Sequence, residues 1–137
     1  MTMTGSCLCG SVKFEITGEP IFIGSCYCVD CQKESGSGHL AVIAVPDAAA
    51  TVTGAVKSYS KPGASGKAVK RSFCANCGTT VFGQPEMMQG TSMFRAGTLD
   101  KPSTLAVSMA IYCADATPWD QPPAGIPHYP GMPGPPE

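Results

Sequence analysis

Apolar and polar residues alternate strictly along residues 12–17. Val12, Phe14 and Ile16 fall on one face and Lys13, Glu15 and Thr17 on the other, the period-two pattern of a half-buried strand. Residues 21–23 and 40–45 are continuous apolar runs that read as buried strands, the second stopped by Pro46. Weaker strand signals surround Val52, Val56 and Tyr59 and are broken by Gly54; further strands are expected over 68–73, 79–82, 92–99 and 105–112. Only residues 29–34 read as helix, a turn or two that places Cys31 near a helix start, where the backbone dipole favours a thiolate. Beyond Pro118 the periodicity stops, and eight of the 13 prolines fall between Pro118 and Pro136. That composition suits neither ladder nor helix. It predicts one domain over 1–120 and a Pro/Gly-rich strap or tail over 121–137, anchored by Trp119 and Tyr129 and fraying near Gly131.

Composition narrows the class. Hydrophobic residues make up 43% of the 137-residue chain, too many for a disordered one, while Gly 16 and Pro 13 argue for short strands and turns over long helices. The formal net charge is −1, so neither nucleic acid nor an anionic membrane is expected as a main partner. Residues 1–7 carry neither a basic nor an apolar export segment, and the longest aliphatic run, six residues at 40–45, is too short to span a bilayer. A cytoplasmic, reducing location is expected, in which clustered thiols hold metal instead of oxidising.

The cysteines carry the chemistry. Seven of the eight fall into three groups: Cys7-x-Cys9, Cys26-x-Cys28-x-x-Cys31 and Cys74-x-x-Cys77, the last followed by Gly78. A disulfide between cysteines one residue apart would be badly strained, whereas both can reach one metal. Two pairs close a four-thiolate zinc site of the structural type; a group of three leaves a position open, as catalytic zinc sites do. The pairing could be shuffled, and all seven could hold purely structural zinc with a non-cysteine fourth ligand. His39 is the nearest candidate for that ligand, His128 a more distant one. Cys113 is left over and reads as a small buried hydrophobe. Among the basic residues, Lys57, Lys61 and Lys67 suit a solvated loop. Lys70 and Arg71, just ahead of Cys74, are placed to neutralise thiolates or hold an anionic substrate.

Several segments occur together in order: Gly5-Ser6-Cys7-Leu8-Cys9-Gly10-Ser11-Val12, Cys26-Tyr27-Cys28-Val29-Asp30-Cys31-Gln32, Ser35-Gly36-Ser37, Arg71-Ser72-Phe73-Cys74-Ala75-Asn76-Cys77-Gly78-Thr79, Gly97-Thr98-Leu99-Asp100 and Pro118-Trp119. In these the chain resembles the glutathione-dependent formaldehyde-activating enzyme family, which includes centromere protein V. The resemblance implies an all-β, Mss4-like fold of packed antiparallel sheets around zinc-binding cysteine knuckles, with few short helical turns. It further implies two Zn²⁺ per chain, with Cys7, Cys9, Cys74 and Cys77 matching the structural ligands and Cys26, Cys28 and Cys31 the catalytic ones. The implied activity is that of a carbon–sulfur lyase joining a small thiol such as glutathione to an aldehyde. The alternative is a non-enzymatic, zinc-stabilised binding or chaperone-like module of the same fold.

Overall fold

The alternating stretch forms the middle of a three-stranded antiparallel sheet, in which β1 (Thr2–Ser6) and β5 (Ala50–Thr53) flank β2 (Lys13–Thr17). Phe14 and Ile16 are buried while Lys13, Glu15 and Thr17 are exposed, as the pattern requires. The structure is a computed structural model, and it describes residues 2–133. Residues 134–137, the end of the expected tail, lie outside the described residues. The remaining elements are β3 (Phe22–Cys26), α1 (Val29–Ser35), β4 (Leu40–Pro46), β6 (Val56–Pro62), β7 (Ala68–Cys74), β8 (Thr80–Pro85), β9 (Thr91–Arg95) and β10 (Met109–Ile111), with short 3₁₀ turns between several of them. The protein is thus mostly β, with one short helix.

Two compact units can be distinguished: Met1–Phe22 with Ile43–Leu105, and Ile23–Val42 with Ala106–Glu137. In the first, β9, β8, β7 and β6 are successive antiparallel neighbours, and the β1–β2–β5 sheet belongs to the same unit. Its core gathers Val12, Phe14, Ile16, Val81 and Phe94, all essentially inaccessible. Phe94 packs against Phe14 and Phe82 at centroid separations of 4.6 and 5.4 Å. Burying side chains of this size stabilises by about 1.5–3 kcal/mol each. Gly5 has no side chain because the Phe14 ring and the Thr98 carbonyl fill the space where a Cβ would stand. Polar groups buried here are partnered: Ser92 Oγ donates to Asp47 Oδ1 at 2.6 Å and accepts from Gln84 Nε2 at 3.2 Å.

In the second unit β10 runs parallel to β3, with Met109, Ala110 and Ile111 opposite Gly24, Ser25 and Cys26. The sheet that holds β3 and β10 is therefore mixed, whereas the β1–β2–β5 sheet is antiparallel throughout. The expected strand over 105–112 shrinks to these three residues, because a 3₁₀ turn at Pro102–Thr104 precedes it and another at Cys113–Asp115 follows. The proline-rich segment docks on β10 through backbone bonds. Ala110 N donates to the Pro127 carbonyl and Tyr129 N to the Ala110 carbonyl, both at 2.9 Å. Tyr129 serves as the expected anchor, packed against Cys26, Cys31 and Ile111. Trp119 does not: it is 70% exposed. Gly131 is held, its carbonyl accepting from Tyr112 N at 3.1 Å, so the chain does not fray there.

Candidate metal centres

Two tight turns build the first cluster. Cys7-Leu8-Cys9-Gly10 turns back on a bond from Gly10 N to the Cys7 carbonyl, and Cys74-Ala75-Asn76-Cys77-Gly78 on one from Gly78 N to the Cys74 carbonyl. Both turns end on a glycine with positive φ, +82° at Gly10 and +78° at Gly78, the left-handed conformation that side chains disfavour. The sulfurs of Cys7, Cys9, Cys74 and Cys77 all lie within 4.8 Å of one another. Four sulfurs about 2.3 Å from a tetrahedral zinc stand roughly 3.8 Å apart. Cys7 and Cys9 are 3.6 Å apart and Cys9 and Cys74 3.8 Å, so the donor set and its spacing fit zinc.

The groups that stabilise negative sulfur here are neutral donors. Val12 N reaches Cys7 Sγ at 3.3 Å, Asn76 N and Cys77 N reach Cys74 Sγ at 3.3 and 3.4 Å, and Asn76 Nδ2 donates to Cys9 Sγ at 3.3 Å. The Ser11 hydroxyl sits 3.1 Å from Cys9 and 3.2 Å from Cys74, and the Thr79 hydroxyl 3.2 Å from Cys77. The Ser11 side chain first, then Asn76, hold the Cys9 thiol down at about 7. Bonds from the Thr79 side chain and backbone hold Cys77 at about 5. Burial raises Cys7. Lys70 is exposed on β7, opposite Ser60 and Gln84, and the hydrogen bonds described at these sulfurs come from neutral amides and hydroxyls. Ser11, Asn76 and Thr79 each sit within two residues of a cluster cysteine. That adjacency was the available sequence signal for them.

The second cluster sits where β3 runs into α1. Cys26 ends the strand, Cys28 caps the helix with its thiol accepting from Cys31 N at 3.3 Å, and Cys31 faces inward from the first turn. The helix ends on Gly36 at φ 69°. The three sulfurs again lie within 4.8 Å of one another, and among the described residues no fourth Cys, His, Asp or Glu joins them. Cys28 is pulled down to about 2, chiefly by its side-chain bond with Cys26 and then by that with Cys31. Cys26 is pushed up to about 12, chiefly by the same bond to Cys28, and Cys31 is raised by its bonds to Cys26 and Cys28. A first negative charge therefore settles on Cys28, where the helix amide meets it. Three clustered sulfurs suit a soft divalent metal. The wall around them comes from Ile111, Leu40, Met109, Tyr112, Tyr129 and Met132.

Neither histidine joins a cluster. His39 instead places Nδ1 2.6 Å from Asp120 Oδ2, and its ring stacks on Tyr27 at 5.0 Å. Gly38 makes room for this pair, since a Cβ there would run into the Asp120 side chain. His128 Nε2 donates to the Pro123 carbonyl at 2.7 Å. Cys113 is half-buried and apart from both clusters, and none of the eight cysteines is in a disulfide. The two tyrosines beside the second cluster differ. Tyr27, 1% exposed, is pushed up by burial and then by the charges of Asp120 and Cys113. Tyr112 is pushed up by burial and then by the charges of Cys26, Cys28 and Cys31.

A mostly β chain with two cysteine clusters fitted to thiolate-bound metal defines a class, and comparison with known proteins gives it a family. The sequence profile of the glutathione-dependent formaldehyde-activating enzyme family matches residues 2–115, and the chain belongs to that family. A Halomonas elongata protein provisionally named as a glutathione-dependent formaldehyde-activating enzyme is 30% identical over 93 residues. The match takes in 60% of this chain and 55% of the relative, so the chain spans about half the length of that protein. A crystal structure of a Rhodobacter sphaeroides protein superposes with a TM-score of 0.57 at 18% identity, over 92% of this chain and 99% of that one. This likeness establishes the Mss4-like fold. No helix among the described residues is long and apolar enough to cross a membrane.

Proposed function

We propose that the chain is a zinc-dependent carbon–sulfur lyase that brings a small thiol such as glutathione to an aldehyde. In this reading Cys7, Cys9, Cys74 and Cys77 hold a structural zinc, and Cys26, Cys28 and Cys31 hold a second zinc at which the thiol enters. The observation that carries it is the difference between the clusters: four convergent sulfurs in one, three in the other. Zinc, when bound by three thiolates, keeps an exchangeable position and lowers the pKa of a thiol that occupies it. The chain's own contribution is to fix the three sulfurs through the Cys28 cap and to shield them with the apolar wall of Leu40, Met109 and Ile111. Water exclusion there strengthens the electrostatics at the reacting sulfur. The reaction forms a carbon–sulfur bond from the thiolate to the carbonyl carbon, passes the carbonyl electron pair to oxygen, and takes one proton there.

The test is metal and thiol binding by the whole protein. Cobalt-substituted protein should hold two ions per chain, and glutathione should shift the absorption of one. Cys28→Ala should remove that response and one ion, leaving the other. One ion per chain, or a glutathione response that survives in Cys28→Ala, would refute the assignment.

A further inference from the structure

The second unit holds one backbone anomaly. Tyr112 has φ 55° and ψ 37°, the only described residue other than glycine with positive φ. A bulky residue in this region is strained, and such strain persists only where the surroundings over-determine it. The surroundings do so here. Tyr112 N donates to the Gly131 carbonyl at 3.1 Å, and the Tyr112 carbonyl accepts from Asp115 N at 3.1 Å. The next residue is tied down as well, Cys113 N donating to the Tyr129 carbonyl at 2.9 Å. The segment that grips the backbone also packs Tyr129 and Met132 against the same cysteine cluster as the Tyr112 ring.

An extended or helical residue at position 112 would send its side chain elsewhere. The left-handed turn immediately after Ile111, which lies opposite Cys26, directs the ring onto the cluster. Tyr27 does not compete for this place, although it stands between two of the cysteines: its ring stacks on His39. Among the residues packed on the cluster, only Tyr112 and Tyr129 carry a hydroxyl, and only Tyr112 is held there by a strained backbone.

We propose that Tyr112 is a catalytic hydrogen-bond donor, its phenol O–H directed at the carbonyl oxygen of an aldehyde being attacked beside Cys26, Cys28 and Cys31. This deepens, and rests on, the lyase reading. When the thiolate sulfur bonds to the carbonyl carbon, the C–O π pair moves to oxygen; the phenol donates a hydrogen bond to that oxygen and remains a phenol, and solvent supplies the proton that completes the hydroxymethyl product. A donor aimed at the oxygen where charge develops contributes most in the transition state and little in thiol binding.

The test compares wild type, Tyr112→Phe, Tyr112→Ala and Tyr112→Gly as zinc-loaded full-length chains with glutathione and formaldehyde, following adduct exchange by NMR above the uncatalysed rate. Tyr112→Phe should lower turnover by about 100-fold. Glutathione affinity, read from the absorption of the cobalt-substituted protein, should move less than about threefold. Tyr112→Gly should melt higher than Tyr112→Ala, because only glycine relaxes the left-handed backbone. Unchanged turnover in Tyr112→Phe beside an active wild type overturns the role of Tyr112 alone. Affinity falling in step with turnover makes Tyr112 a binding residue and overturns it too. A wild type that binds glutathione without accelerating exchange removes the lyase reading and this role together.

Discussion

At the scale of single residues, two kinds of position carry the consequences: those with no room to spare and those that hold a charge. Gly5 is of the first kind. Any side chain there meets the Phe14 ring and the Thr98 carbonyl, and both belong to a core that also packs Phe94. Gly5→Ala should destabilise the protein by about 1–3 kcal/mol, read from chemical denaturation at fixed zinc. A change under a few tenths would mean that the β1–β2 pair can open without cost. The cysteines are of the second kind. Cys74→Ala removes one of four convergent sulfurs and takes from Asn76 N and Cys77 N the thiol they donate to. It should forfeit much of the ~10–16 kcal/mol that structural zinc typically supplies to small domains. Cys28→Ala should leave the melting temperature far closer to wild type. Equal losses in the two variants would contradict separate roles for the two clusters.

Single elements show where sequence pattern suffices and where it stops. The alternation of residues 12–17 and the aliphatic run of β4 are local signals, and both became strands with the expected faces buried. The cysteine groups were legible for the same reason, since the spacing of ligands within a turn is a local property and glycine marks where the turn closes. The short helix was visible too, running over Val29–Ser35. What escaped depends on contacts made far along the chain. Nothing near His39 announces Asp120, a partner 81 residues away. The parallel pairing of β10 with β3, the left-handed Tyr112 and the exposure of Trp119 all follow from how the proline-rich segment is laid down. Prolines suppress periodicity there, so composition gave a strap without its register. Because that segment bonds to Ala110, Tyr112 and Cys113, ending the chain after Ile126 should loosen β10. Hydrogen exchange at the Tyr112 and Cys113 amides should accelerate by orders of magnitude, while that at Val12 and Cys74 should hardly change. Uniform acceleration would show that the segment supports more than β10.

For the molecule as a whole, two cysteine clusters of unequal closure, each loaded with zinc, should give two acid transitions. Protons compete with metal for thiolate sulfur, so affinity falls as pH falls. In the first cluster the hydroxyls of Thr79 and Ser11 keep Cys77 and Cys9 ionised toward lower pH, and four sulfurs share the ion. In the second, Cys28 is held low, but the same sulfur–sulfur bonds raise Cys26 and Cys31, and only three sulfurs would share an ion. Lowering pH from 8 to 4 in the presence of a zinc-sensing dye should therefore release one equivalent at the higher pH and a second at the lower. A single step releasing both would contradict the difference in closure. The separation of the ligands along the chain has a further consequence, for the order of events during synthesis. Cys26, Cys28 and Cys31 leave the ribosome together, long before Tyr112 and the segment that grips it, whereas Cys9 must wait for Cys74, 65 residues later. In the proposed reading the three sulfurs of the reactive site can meet a metal first, and only the last part of the described chain then packs Tyr112, Tyr129 and Met132 against them.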